Sequence, residues 1–186
     1  MCILNSDKVE VPSINDYIHQ WVVFCNKQGI QLDKCLWKND IEGAFAQLRF
    51  RPEFIHLLAT RVDDDMLFLD LCGVFGWTNM LIVFGVLSRC LSSKISLTIK
   101  GFVGAFVDDF VGCSLAIEAT SDQLLTVNII RETFNVTAIN DSKSIRPTIE
   151  LDVIGWTVNL EMLYLCLNEK DRFLPVKVFQ LLASLA

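Results

Sequence analysis

The sequence predicts an α+β fold with a ferredoxin-like βαββαβ core, preceded by one helix and followed by another. The first observation is the order of its segments between residues 35 and 158, which alternate as strand, helix, strand, strand, helix, strand. The second is composition, since apolar residues make up 52% and charged residues 20% of the 186-residue chain. Such a chain can bury the core of one domain.

The N-terminal part predicts a helix, a short strand and a hairpin. A helix is expected over 13–29, because a serine caps it, apolar residues recur at helical spacing and a glycine ends it. Residues 35–40 predict a short strand that ends on polar residues. A hairpin is expected over 55–62 and 66–72, with the acidic triplet 63–65 as a solvated turn rather than a metal site.

The C-terminal part predicts two further helices around a second hairpin, and then strands. The helix over 78–91 is apolar nearly all round, so it should be buried. Apolar runs over 100–107 and 110–115 predict a hairpin with Asp108 and Asp109 at its tip. A helix is expected over 120–134, with Thr120-Ser121-Asp122 at its start. The remaining expectations are strands over 149–158 and 162–167, and a final helix over 168–185.

One uncharged run, from Leu71 to Leu87, reaches the lower edge of the length needed to span a membrane. Thr78 and Asn79 interrupt it, and Asp70 precedes it directly. A strand, a turn and a buried helix explain the run better, so no membrane association is expected.

Cysteine usage indicates an intracellular protein, in the cytoplasm or nucleus. The seven cysteines are odd in number and include no Cys-x-x-Cys pair, and residues 1–10 contain no apolar segment typical of a signal peptide. We therefore expect reduced thiols. A zinc site is not expected, because His19 and His56 lack ligand spacing.

The formal net charge of −6 is unusual for a protein that handles nucleic acid, because phosphate binding requires a basic surface. Two explanations remain open at this point. Either the basic parts lie in segments that this chain lacks, or the chain binds nucleic acid weakly.

Two segments place acids where apolar strands end. In Phe106-Val107-Asp108-Asp109-Phe110 the flanking residues bring adjacent acids into an apolar setting, where ionised carboxylates are costly unless paired or bound to metal. On this segment alone, a turn whose acids point to water is the better interpretation. Asp40 ends the strand that the βαββαβ order places beside this hairpin, so the three acids are expected to converge.

Three segments follow one another along the chain in the order Asp40-Ile41-Glu42-Gly43-Ala44-Phe45, Val74-Phe75-Gly76-Trp77 and Phe106-Val107-Asp108-Asp109. This order resembles that of the motifs in reverse transcriptases, especially those of retrotransposons. Asn140-Asp141-Ser142-Lys143 resembles the lysine-bearing loop of this family, and Val153-Ile154-Gly155-Trp156 resembles its hydrophobic-Gly turn, the primer grip. The helix at 12–16 resembles the segment before the palm, so the resemblance spans roughly 12–177. It implies that the α+β fold is a polymerase palm.

The resemblance implies three regions and a metal site. The regions are an N-terminal helical segment at the edge of fingers and palm (1–34), the palm catalytic core (35–160), and a hairpin strand with the start of the thumb or connection (161–186). Asp40 and Asp108 would hold two Mg²⁺ ions, with Mn²⁺ as an alternative, and Asp109 would complete this catalytic site. Two ions about 3.5–4 Å apart activate the primer 3′ oxygen and stabilise the pyrophosphate leaving group.

The resemblance also implies contacts to a primed RNA or DNA template and to deoxynucleoside triphosphates. Phe45 would lie under the incoming sugar and exclude a 2′-hydroxyl, with core packing as its alternative role. A solvated lysine is the alternative for Lys143, and a buried strand is the alternative for the primer grip. The nucleotide-binding residues would be Ile41, Phe45, Gly76, Trp77 and Lys143, and the primer-contacting residues Phe106, Val107, Gly155 and Trp156.

The chain departs from the family pattern at several points. Asn79-Met80-Leu81 stands where a small residue and a proline usually follow Phe-Gly, and Asn39 stands where an apolar residue usually precedes the first acid. The basic fingers segment, most of the thumb and any ribonuclease H domain are missing, and we expect them in the same longer polyprotein.

The leading hypothesis is a reverse transcriptase palm that performs template-directed deoxynucleotidyl transfer. The alternative is a non-catalytic relic or fragment of a retroelement polymerase, which acts as a structural or interaction module. An RNA-templated RNA polymerase is a third hypothesis, against which Ala44-Phe45 argues because this pair favours deoxynucleotides.

Overall fold

The computed structural model of this protein describes residues 16, 19–21, 23, 24, 27, 33–161 and 164–167. The α-helices are α1 (Thr78–Ser96) and α2 (Ala116–Thr133), with 3-10 helices at Ala44–Gln47 and Pro52–Leu58. The strands are β1 (Lys34–Asp40), β2 (Ala59–Arg61), β3 (Leu67–Leu69), β4 (Phe102–Phe106), β5 (Asp109–Leu115), β6 (Ile145–Thr148), β7 (Glu150–Val153), β8 (Trp156–Asn159) and β9 (Tyr164–Leu167).

The main sheet has four antiparallel strands in the spatial order β4-β5-β1-β6. Along the chain, α1 lies between β1 and β4, and α2 connects β5 to β6. This is the βαββαβ order with the first strand beside the central hairpin. The predicted α+β fold is therefore confirmed, with the short β2–β3 hairpin inserted before α1.

A tryptophan and a glycine fix the register of the two central strands. Trp37 of β1 lies directly opposite Gly112 of β5, and a Cβ at Gly112 would come within 2.0 Å of the indole ring. The Trp37 Nε1 donates a hydrogen bond to Ser114 Oγ at 3.2 Å. Because only glycine leaves room for the ring here, the register is tightly specified, and it places Asp40 opposite Asp109.

The two faces of the main sheet carry separate apolar clusters, because successive side chains in a strand point to opposite faces. Trp37 and Phe110 belong to the helix-side cluster, which α1 and α2 cover with Phe84, Ile95 and Ile130. Leu36 and Val111 belong to the opposite cluster, which includes Trp21, Leu151, Val153 and Val158.

The segments before β4 differ from the predictions in two places. Residues 55–58 belong to a 3-10 helix, so the first hairpin is shorter than predicted, although its acidic turn is solvated as expected. Helix α1 continues to Ser96, and it is not buried all round, because one side leaves Leu81, Val83 and Val86 more than two-fifths exposed. The prediction of a fully buried helix was wrong because an apolar surface does not require a partner on every side.

Helix α2 begins at Ala116, four residues before the predicted start. The Thr120-Ser121-Asp122 segment resembled an N-cap, but Asp122 is buried inside the helix. Its carboxylate accepts hydrogen bonds from Gly101 N at 2.9 Å and from Ser114 Oγ at 2.7 Å. The Asp122 side chain, which the sequence suggested as a local helix cap, therefore binds groups from other parts of the chain instead.

The predicted strand over 149–158 is in fact two strands. Ile154 and Gly155 have positive φ angles of 50° and 77°, which reverses the chain between β7 and β8. Strands β7, β8 and β9 form their own three-stranded sheet. The fourth strand of the main sheet is instead β6, whose Arg146 and Pro147 are atypical of a central strand and fit its edge position.

Some predictions lie outside the described residues, namely both ends of the helix over 13–29 and the helix over 168–185. The described residues between 16 and 27 are helical. The cysteines that the structure describes, Cys35, Cys72, Cys90 and Cys113, are not joined in disulfides. Within the described ranges, no helix has both the length and the apolar character needed to cross a bilayer.

Candidate active site

Three acidic residues meet at one end of the main sheet. Strand β1 ends at Asp40 and strand β5 begins at Asp109, and the two residues are cross-strand partners. Asp108 occupies the turn between β4 and β5, and its carbonyl accepts a hydrogen bond from Ile41 N at 3.0 Å. By strand alternation, Asp40 and Asp109 point to the face opposite the helices.

Helix α1 holds the tip of the β4–β5 hairpin. Val107 has a φ of 53°, a backbone conformation that is unfavourable for a β-branched residue. Ser88 is buried, and its hydroxyl lies 2.5 Å from the carbonyl of Val107 and 2.9 Å from that of Phe84. This contact stabilises the tight turn that positions Asp108.

The environment of Asp40 disfavours its ionised form. The side chain is only 7% exposed, and its buried Oδ1 accepts no hydrogen bond. Burial raises the pKa of Asp40 to about 6, Lys143 opposes this shift, and the charges of Asp109 and Asp108 add to it. Burial likewise raises the pKa of Asp108. The site therefore favours a positive charge beside these carboxylates.

The lysine-bearing loop is attached directly to Asp40. Asn140 N donates to the carbonyl of Asp40 at 2.9 Å, and Asp40 N donates to Ser144 Oγ at 3.3 Å. These bonds bring Lys143 Nζ to 3.8 Å from Asp40 Oδ1, although the Lys143 side chain remains 65% exposed. Lys143 is thus near the acids but loosely held.

A second lysine, which the sequence analysis did not single out, lies against Asp109. The Nζ of Lys38 lies 2.8 Å from each carboxylate oxygen of Asp109 and donates a hydrogen bond to Oδ2. Lys38 precedes Asp40 by two residues in β1, so both side chains project from the same face. A lysine two residues before the first acid, in an otherwise apolar strand, is the sequence signal that could have predicted this ion pair.

Some of the three acids are suited to bind a divalent metal ion. Carboxylate oxygens are the ligands that Mg²⁺ prefers, and Asp40 Oδ1 is a buried oxygen without a hydrogen bond. In the portion of the chain that the structure covers, however, no group of three His, Cys, Asp or Glu side chains is arranged to hold a metal. Asp40 and Asp108 therefore fit the ion better than Asp109, which is paired with Lys38.

The proposed nucleotide-side residues lie in different environments. The Phe45 ring is half-buried, and its centroid lies 4.9 Å from that of the Phe75 ring. Phe75 itself is 91% exposed. Gly76 and Trp77 line an open, mostly apolar cavity of about 790 Å³, whose lining includes none of the three acids Asp40, Asp108 and Asp109. Ile41 is 1% exposed in the helix-side cluster, so only its backbone can face a ligand.

The proposed primer-side residues divide between the two faces of the sheet. Phe106, Ile154 and Trp156 pack against the opposite cluster, so the structure brings β4 and the β7–β8 turn to the same face. Gly155, with positive φ, is exposed in that turn. Val107 packs against the helix-side cluster instead.

The sheet order, the two helices behind the sheet and the acids at its end define a palm fold of the reverse-transcriptase type. Two solved structures illustrate the likeness. The foamy viral protease-reverse transcriptase in complex with an RNA/DNA hybrid matches with a TM-score of 0.61 and 14% identity over 73% of this chain and 17% of that chain. Apo telomerase from Candida tropicalis, truncated from its C-terminal domain, matches with a TM-score of 0.61 and 13% identity over 85% of this chain and 40% of that chain.

A further structure of the foamy viral protein, in complex with double-stranded DNA, matches with a TM-score of 0.62 and 14% identity over 75% of this chain and 23% of that chain. This chain therefore spans between about a sixth and two fifths of the length of these neighbours. No protein-family model matches the chain, and no curated protein matches it.

Proposed function

We propose that this chain is the palm of a reverse transcriptase from a retrotransposon-type element, and that it performs template-directed deoxynucleotidyl transfer by a two-metal mechanism. The observation that supports this most is the position of Asp40, buried and opposite Asp109, beside the hairpin tip that carries Asp108. The similarity of the fold to reverse transcriptases and telomerase supports the same class of reaction.

Asp40 and Asp108 would hold the divalent ions, which supply positive charge for the primer 3′ oxygen and the leaving pyrophosphate. The exposed Lys143 can leave Asp40 and pair with phosphate oxygens of the incoming triphosphate, because only a 3.8 Å contact holds it. The hydrogen bond from the Ser88 hydroxyl to the Val107 carbonyl and the backbone bond from Ile41 N to the Asp108 carbonyl keep the acids in place. Positioning and charge are what phosphoryl transfer chiefly requires of a protein.

Phe45 would select the sugar of the incoming nucleotide. Its half-buried ring packs against the rings of Phe84, at a centroid distance of 5.8 Å, and Phe75, so it forms a firm wall. A deoxyribose can pack on such a wall, whereas a 2′-hydroxyl would clash with it. Gly76 and Trp77 would lie on the template side.

Primer and template would be RNA or DNA. Two of the neighbouring structures contain an RNA/DNA hybrid or double-stranded DNA, which supports a nucleic-acid partner. The primer would follow the face shared by Phe106 and the Gly155-Trp156 turn. Because this chain carries a net charge of −6, we expect weak, salt-sensitive binding unless fingers, thumb and ribonuclease H parts of a longer polyprotein are added.

Primer extension on an RNA template tests this proposal. The chain, and a version extended at both ends, would be assayed with Mg²⁺ and deoxynucleoside triphosphates. Asp40→Asn and Asp108→Asn should each abolish extension, whereas Asp65→Asn, in the exposed turn of the β2–β3 hairpin, should not. A folded, extended protein that binds primer-template but adds no nucleotide would refute catalysis and favour the non-catalytic relic.

A further inference from the structure

The ion pair between Lys38 and Asp109 lies largely out of solvent. The side chains are 17% and 21% exposed, and Nζ is 2.8 Å from both carboxylate oxygens. A charge-assisted hydrogen bond at this depth is stronger than the usual surface ion pair. Lys38 is therefore a resident positive charge beside one of the three acids.

Strand register, rather than a flexible loop, sets this pair. Lys38 lies opposite Val111 and Asp40 lies opposite Asp109, so Lys38 and Asp109 are diagonal neighbours on the same face. A long side chain reaches this diagonal distance in an antiparallel pair. The same central register is fixed by Trp37 over Gly112, so the lysine remains in reach as long as the sheet is formed.

The lysine at Asp40 behaves differently. Lys143 Nζ lies 3.8 Å from Asp40 Oδ1, beyond hydrogen-bond distance, and its side chain is mostly exposed. A divalent ion could displace it at little cost. At Asp109, Oδ1 accepts no hydrogen bond but lies 2.8 Å from the Lys38 ammonium. A divalent ion bound to this oxygen would therefore lie against a positive charge.

We propose that Lys38 is the permanent counter-ion of Asp109, so that divalent ions bind at Asp40 and Asp108 while Asp109 serves as a positioning residue. This inference rests on the proposed function and refines the division of labour within its metal site.

Calorimetric titration with Mn²⁺ tests the inference without any turnover. Lys38→Met/Asp109→Asn removes both charges together, so the net charge of the site is unchanged, and Mn²⁺ affinity should stay within about threefold of the parent. Lys38→Met alone frees a negative charge, which should raise the affinity about tenfold. Lys94→Met, on the exposed side of α1, is the matched control and should change nothing.

The exchanged pair Lys38→Asp/Asp109→Lys is a second variant, which keeps an ion pair and should also bind Mn²⁺. Loss of affinity of about tenfold or more in both double variants, with folding intact by circular dichroism, would show that Asp109 is a metal ligand and would overturn the inference. That result is distinct from failure of the proposed function itself. In the latter case, the parent and Asp40→Asn would bind Mn²⁺ equally weakly.

Discussion

Asp40→Asn should stabilise the metal-free protein at neutral pH, although it should abolish catalysis. The substitution keeps the size of the side chain but removes the charge from a position that is 7% exposed and lacks a hydrogen bond at Oδ1. Burial raises the pKa of this carboxyl from 3.8 to about 6, so the folded protein holds the proton more tightly than the unfolded chain does.

The sign and size follow from linkage. Below about pH 4 the group is protonated in both states, and the free energy of unfolding then falls as the pH rises from about 4 to about 6. A difference of about two pKa units corresponds to about 3 kcal/mol at neutral pH. Asp40→Asn removes this loss, so the variant should exceed the parent in stability by up to about 3 kcal/mol at neutral pH.

Urea denaturation in the presence of a chelator, followed by circular dichroism between about pH 4 and pH 7, measures this difference. Asp65→Asn is the control, because it removes an exposed acid from a turn. Added Mn²⁺ should stabilise the parent and not Asp40→Asn. Parallel pH profiles for the parent and Asp40→Asn, or a variant less stable at neutral pH, would refute the reasoning.

Three other substitutions test the surroundings of the site. Ser88→Ala should lower the primer-extension rate and cost about 1–2 kcal/mol of stability, because it removes the bond to the hairpin tip, whereas Ser93→Ala on the same helix should not slow extension. Phe45→Ala should raise ribonucleotide incorporation by the extended protein; a lower melting temperature with an unchanged sugar ratio would indicate a packing role alone. Gly112→Ala should cost at least about 1–3 kcal/mol, measured by thermal denaturation, because its Cβ would clash with Trp37; an unchanged melting temperature would contradict this.

The order of the core elements and the approximate position of the acids follow from the amino-acid sequence. Apolar segments of strand and helix length are local features, so β1, the β4–β5 hairpin and both helices could be predicted within several residues. The βαββαβ order then required Asp40 to face Asp108 and Asp109, because it allows few arrangements of neighbouring strands. The bounds of the elements were less certain. Asp122 resembled a helix cap in the sequence, but in the fold its carboxylate binds buried groups from elsewhere in the chain, and the helix begins earlier.

The groups that surround those acids can be identified only from the tertiary structure. Period-two alternation places Lys38 and Asp40 on one face, but only the β1–β5 register shows that the ammonium reaches Asp109. Similarly, Ser88 contacts the Val107 carbonyl only because α1 packs behind the hairpin, and β6 joins the sheet although its sequence is atypical of a strand. These contacts join residues far apart in the chain, and their energies depend on burial and distance, which local sequence patterns do not specify.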